Sequence, residues 1–89
     1  MGSAGPGKEW HHIVEQNPGN IERFGPDALH NTGNVIAIDK ALHERISGFY
    51  SSKDRIAGGL TVRQWLSAQP FEAQHAFGIK TLRNYGAVS

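Results

Sequence analysis

Apolar positions fall into two short runs early in the chain and then change to helical spacing. Trp10-His11-His12-Ile13-Val14 combines aromatic and β-branched residues between polar and Pro-Gly sequence, which favours extended backbone and predicts a strand. Val35-Ile36-Ala37-Ile38 predicts a second strand. From Asp39 the period lengthens. Leu42, Ile46 and Phe49 are spaced for one helical face, with Asp39 placed to cap it. Glycine costs roughly 1 kcal/mol against alanine inside a helix, so Gly48 predicts a bend or an end near Tyr50.

Between the two strands, Asn17-Pro18-Gly19-Asn20 and Phe24-Gly25-Pro26-Asp27 are turn signals, and Pro26 suits the first turn of a very short helix through Leu29. Ile21, Phe24 and Leu29 argue that this long connection is ordered. Residues 51–59 predict a loop. Thr61 with Gln64 three residues on is a capping-box pattern, opening a short helix through Ala68 that buries Val62, Trp65 and Leu66. Phe71 to Tyr85 predicts a last helix with Phe71, Ala76, Ile79 and Leu82 buried and Gly86 as its stop. Trp10 and Trp65 are expected in the core, and His75 lies apart from every motif. The expectation is a small α+β domain over residues 9–89. Its core, over residues 9–52, runs strand, long loop, strand, helix, and a helical part follows over residues 60–85. Residues 1–8, small and almost uncharged, are expected to be a poorly ordered linker.

Composition narrows the chemistry. A chain of 89 residues buries a limited fraction of its surface, so its loops need tying down by something besides a core, and a bound metal would serve. With no cysteine, disulfides and thiolate zinc sites are excluded, and any metal must be held by imidazole, carboxylate, amide or hydroxyl groups. No apolar run approaches a membrane span and no signal-like start is present. The formal net charge is only +1, but the basic excess lies in the second half. Lys40, Arg45, Lys53, Arg55 and Arg63 form either a phosphate-tracking patch or an ordinary solvated surface.

The order of elements, a His pair on the first strand, Asn34 at the second and His43 nine residues beyond it resemble the HNH (ββα-metal, His-Me finger) nucleases. Trp10-His11-His12-Ile13-Val14-Glu15-Gln16, His30-Asn31-Thr32-x-Asn34, His43-x-x-Ile46-Ser47 and Tyr50-Ser51 resemble, more closely, the toxin nuclease domains at the C-termini of large bacterial secreted proteins. Those domains belong to the HNH/endonuclease VII superfamily. The resemblance spans about half of the chain and stops at Lys53.

It implies a metal-dependent endonuclease acting on DNA, delivered from a bacterium into the cytoplasm of a target cell and neutralised by a cognate immunity protein. An RNase on the same scaffold, or a non-catalytic nucleic-acid or metal-binding module, are the alternatives. Neighbouring side chains on a strand point to opposite faces, so His11 and His12 should divide their labour. The resemblance makes His11 and His43 the metal ligands, His12 the general base and Asn34 a residue whose amide bridges loop backbone behind the base. Tyr50 matches a contact to the scissile phosphate. Ser47 stands where colicin-type members carry a further His, on the helical face from which it would contact water on the metal, so the site has two imidazoles, which fits magnesium or manganese with retained waters better than zinc. Glu15 is either an acceptor orienting His11 or His12 or a surface carboxylate. His30 either binds phosphate or metal, or caps a loop turn with Asn31 and Thr32.

Overall fold

Strand β1 (Lys8–His12) and strand β2 (Val35–Asp39) pair antiparallel, with Lys8 opposite Asp39, Trp10 opposite Ala37 and His12 opposite Val35. The computed structural model describes residues 2–53 and 55–88; Met1 of the expected linker, Asp54 and Ser89 lie outside the described residues. Between the strands lie α1 (Pro18–Phe24) and α2 (Pro26–Leu29). After β2 come α3 (Lys40–Tyr50), a 3-10 turn at Arg55–Ala57, α4 (Val62–Ser67) and α5 (Phe71–Asn84). Helices around a two-stranded sheet make this an α+β domain. Among the described residues no helix is long and apolar enough to cross a membrane.

Local chemistry accounts for most element ends. Asn17 and Pro18 begin a helix where the sequence reads as a turn. The Asn17 side chain accepts from the Asn20 N–H at 2.9 Å, and Pro18 occupies the first helical turn, where its missing N–H is not needed. Gly25, at φ +84°, then takes the chain from α1 straight into α2, a backbone angle that a residue with a Cβ rarely adopts. Thr61 and Gln64 form both bonds of the capping box that starts α4. Asp39 does not cap α3 with its side chain. Its carboxylate pairs across the strands with Lys8 at 3.1 Å, and the Gly7 carbonyl accepts from the Lys40 N–H. Gly2 is also in contact with the sheet, its carbonyl accepting from the Trp10 indole at 2.7 Å.

The apolar side chains form two clusters. Ile13, Ile38, Ile46 and Leu82 pack where α3 and α5 meet the sheet, and Tyr50, Val62 and Leu66 pack where α3 meets α4, flanked by Phe49, Trp65 and Phe77. Trp10 and Trp65 are only half-buried. On α5 the buried stripe is Gln74, Gly78, Thr81 and Leu82, while Ala76, expected inside, is exposed. Gln74 is buried because its amide pairs in both directions with that of Asn20, at 3.0 and 3.1 Å, and also donates to the Gln69 carbonyl. A buried amide with its partners in place avoids the desolvation penalty that an unpaired one carries.

Candidate functional site

Strand alternation sends His11 and Glu9 toward α3. His11 is 5% exposed, and its ring meets that of His43 edge to face with centroids 5.4 Å apart. Its Nε2 is buried and makes no hydrogen bond to a described residue. Burial, then the neighbouring His43, then His12 push its pKa down to about 4, so the ring is neutral at pH 7 with a lone pair to give. His43 Nδ1 donates to the Glu9 carboxylate at 3.1 Å, which leaves its Nε2 as the free donor atom. A buried, neutral, unpartnered imidazole beside a second imidazole steadied by a carboxylate suits a divalent cation. Among the described residues no group of three or more His, Asp or Glu side chains is arranged to hold a metal, so the candidate pair stands alone.

These two rings line a cleft of about 260 Å³ together with Trp10, His12, Glu15 and Gln16. A water occupies roughly 30 Å³ of liquid, so the cleft has room for an ion with several waters. A second concavity lies at the far end of the sheet, by the Lys8–Asp39 pair, and carries no imidazole.

His12 lines the same cleft but has a different ring partner from His11. Its Nε2 lies 3.2 Å from Nδ1 of His30, with the rings stacked at 5.4 Å. Partial burial and then the nearby His30 and His43 lower its pKa from the usual 6.5. Behind it, the buried Asn34 side chain accepts from the Val14 N–H at 2.8 Å and donates to the Val14 and Leu29 carbonyls at 3.0 and 2.8 Å. The Asn34 carbonyl takes the Ile13 N–H at 2.8 Å. The Ile13 bond still follows the strand register, and it is Val14 that leaves the ladder, its N–H and carbonyl both taken by the Asn34 side chain.

Several expected site residues lie elsewhere. Tyr50 is 1% exposed inside the second cluster, so its phenol does not reach a substrate phosphate. Burial raises its pKa to about 12. The Thr81 hydroxyl nearby eases that shift yet donates its proton to the Phe77 carbonyl, and the phenol oxygen has no hydrogen-bond partner among the described residues. Ser47 is exposed on α3, outside the cleft lining. Glu15 does line the cleft, but its carboxylate is gripped by Arg63 at 2.8 to 3.0 Å and orients neither histidine. Glu9 is the carboxylate on an imidazole, and its position two residues before His11 on one strand face is the signal that points to it.

The basic patch is thinner than its sequence suggests. Arg63 is spent on Glu15 and Ser51, and Arg45 lies over the Tyr85 ring at 5.6 Å. Lys40, Lys53 and Arg55 are exposed. His75 is not remote, since its Nε2 meets the Gly33 carbonyl at 3.2 Å, beside Asn34. The chain matches no family model, and none of the curated proteins or solved structures matches it.

Proposed function

We propose that this domain is a metal-dependent endonuclease of the HNH type, hydrolysing phosphodiester bonds in DNA. The observation that carries the reading is the convergence of His11, with its buried unpartnered Nε2, and the Glu9-steadied His43 in one cleft beside His12. Phosphodiester hydrolysis needs a base for the attacking water, positive charge near the phosphate and stabilisation of the departing 3′ oxygen. His11 and His43 would hold the divalent ion, and a bound ion supplies the positive charge for both the phosphate and the leaving oxygen. His12, kept neutral near pH 7 by its lowered pKa, takes the proton from water. Asn34 fixes the chain just after His12 so that the ring stays in place. Arg63 neutralises Glu15, removing a bare negative charge from a cleft that must receive a phosphate.

Two imidazoles leave most of the coordination shell to water and substrate oxygens, which suits magnesium or manganese, with imidazole favouring the transition metal in raw affinity. The toxin part of the proposal, with delivery into a target cell and a cognate immunity protein, rests on the sequence resemblance alone. The test is nicking of supercoiled plasmid by chelator-stripped protein, with each divalent ion added back and an RNA substrate run in parallel. Ion-dependent DNA cleavage supports the reading. Cleavage of RNA alone changes the substrate, and no cleavage with any ion refutes the activity.

A further inference from the structure

His12 has two ring nitrogens, and the fold engages only one of them. Nε2 faces Nδ1 of His30 at 3.2 Å, whereas Nδ1 makes no hydrogen bond to a described residue. Two neutral imidazoles meeting through Nε2 and Nδ1 share a single proton in that contact. If His30 donates it, the proton on His12 sits on Nδ1 and its only lone pair points at His30, leaving nothing to accept from water. If His12 donates, its lone pair is on Nδ1 and open.

We propose that His30 is a positioning residue that holds His12 in the Nε2–H tautomer, so that the atom receiving the proton from water is Nδ1. This rests on the reading of His12 as the general base. The frame around His30 is built for such a task. Its own N–H bonds the Pro26 carbonyl at 2.9 Å, and the Asn31 amide ties down the Asp27 and Ala28 carbonyls at 3.0 and 2.8 Å. The Asn34 amide holds Leu29, the residue before His30, and also Val14, two residues after His12. One side chain therefore sets the spacing between the two histidines. Asn31 performs the loop-capping alone, and the His30 ring makes no bond to the loop, which removes capping as the reason for an imidazole here.

In the step this implies, a water proton moves to Nδ1 of His12 and the hydroxide oxygen bonds phosphorus. The bond from phosphorus to the 3′ oxygen breaks with its electron pair on oxygen, which takes a proton from solvent water. The imidazolium formed on His12 keeps its Nε2–H bond to His30 until Nδ1 returns its proton to solvent. A partner that sets the tautomer of a metal-bound imidazole is worth about 10- to 100-fold in activity, and a loss on that scale is expected for His12.

The experiment is long-range proton–nitrogen correlation NMR on the full chain, at a pH where the imidazoles are neutral, with His12 assigned by its loss in His12→Gln. The expected result is the Nε2–H tautomer for His12 in the parent. In His30→Phe it gives way to a mixture, and in His30→Asn, whose Oδ1 can accept from Nε2–H, it is retained. A parent in the Nδ1–H tautomer overturns the proposal. Cleavage assays on the same proteins should show His30→Phe lowered about 10- to 100-fold in kcat with KM little changed, and His30→Asn largely restored. Equal loss in both variants, or none in either, also overturns it. A parent with no cleavage refutes the nuclease reading but leaves the tautomer result standing, so the two failures are told apart.

Discussion

The carbonyl oxygen of Ile13 lies 2.5 Å from the point where a Cβ on Gly78 would stand, with Ile13 Cγ2 at 2.8 Å. Helix α5 thus meets the chain backbone to backbone, one residue past His12. Gly78→Ala must push Ile13 away, and overpacking of this kind costs about 1–3 kcal/mol, against roughly 1 kcal/mol gained in helix propensity. The expected outcome is a lower melting temperature together with weakened cleavage, because the displaced residue adjoins His12. Gly48→Ala on α3 is the control. A Cβ there meets nothing within 4 Å, so thermal denaturation should show stabilisation by about 0.5–1 kcal/mol.

Asn34→Ala deletes one acceptor and two donors at a buried site and strands the Val14 N–H and the Val14 and Leu29 carbonyls. The expected loss is about 1–3 kcal/mol in urea unfolding, with cleavage reduced alongside. A variant inactive yet as stable as the parent would assign Asn34 a direct part in the chemistry instead.

The three histidines of the cleft should separate by phenotype. His12→Ala is expected to lower cleavage by about 10² to 10⁴ while ion binding, followed by calorimetry, stays near parental. His11→Ala and His43→Ala should lose ion binding and cleavage together. Unchanged calorimetry in either would remove that residue from the ion site.

Tyr50 supplies a pH test on a side chain outside the cleft lining. Its phenol titrates near 10 in an unfolded chain and at about 12 in the fold. Between those values the unfolded chain has lost a proton that the native state keeps, so stability falls as pH rises, by about 3 kcal/mol in all. Denaturant titrations of the parent and Tyr50→Phe should diverge above pH 10, with the variant losing less. At neutral pH the variant should match or exceed the parent, because the hydroxyl it removes is buried with no hydrogen-bond partner among the described residues. Cleavage should persist.

What the sequence determined by itself is local. Thr61 and Gln64 specify a capping box within one turn, Leu42 and Ile46 specify a helical face, and strand alternation gives His11 and His12 different neighbours. Turn and helix signals overlap at Asn17-Pro18, since the same side-chain bond serves both, and the helix that forms carries Asn20 into its buried bonds with the Glu15 carbonyl and Gln74. The tertiary structure decided which groups oppose each face. It set Glu9 against His43, joined Glu15 to Arg63 across 48 positions instead of to His11 or His12, and buried the Asn20–Gln74 pair across 54. It also enclosed Tyr50 and seated Gly78 on Ile13. Periodicity says which side of an element is apolar. It carries no information about which distant segment covers that side, and a polar side chain reads as surface until the partner that satisfies it is in place.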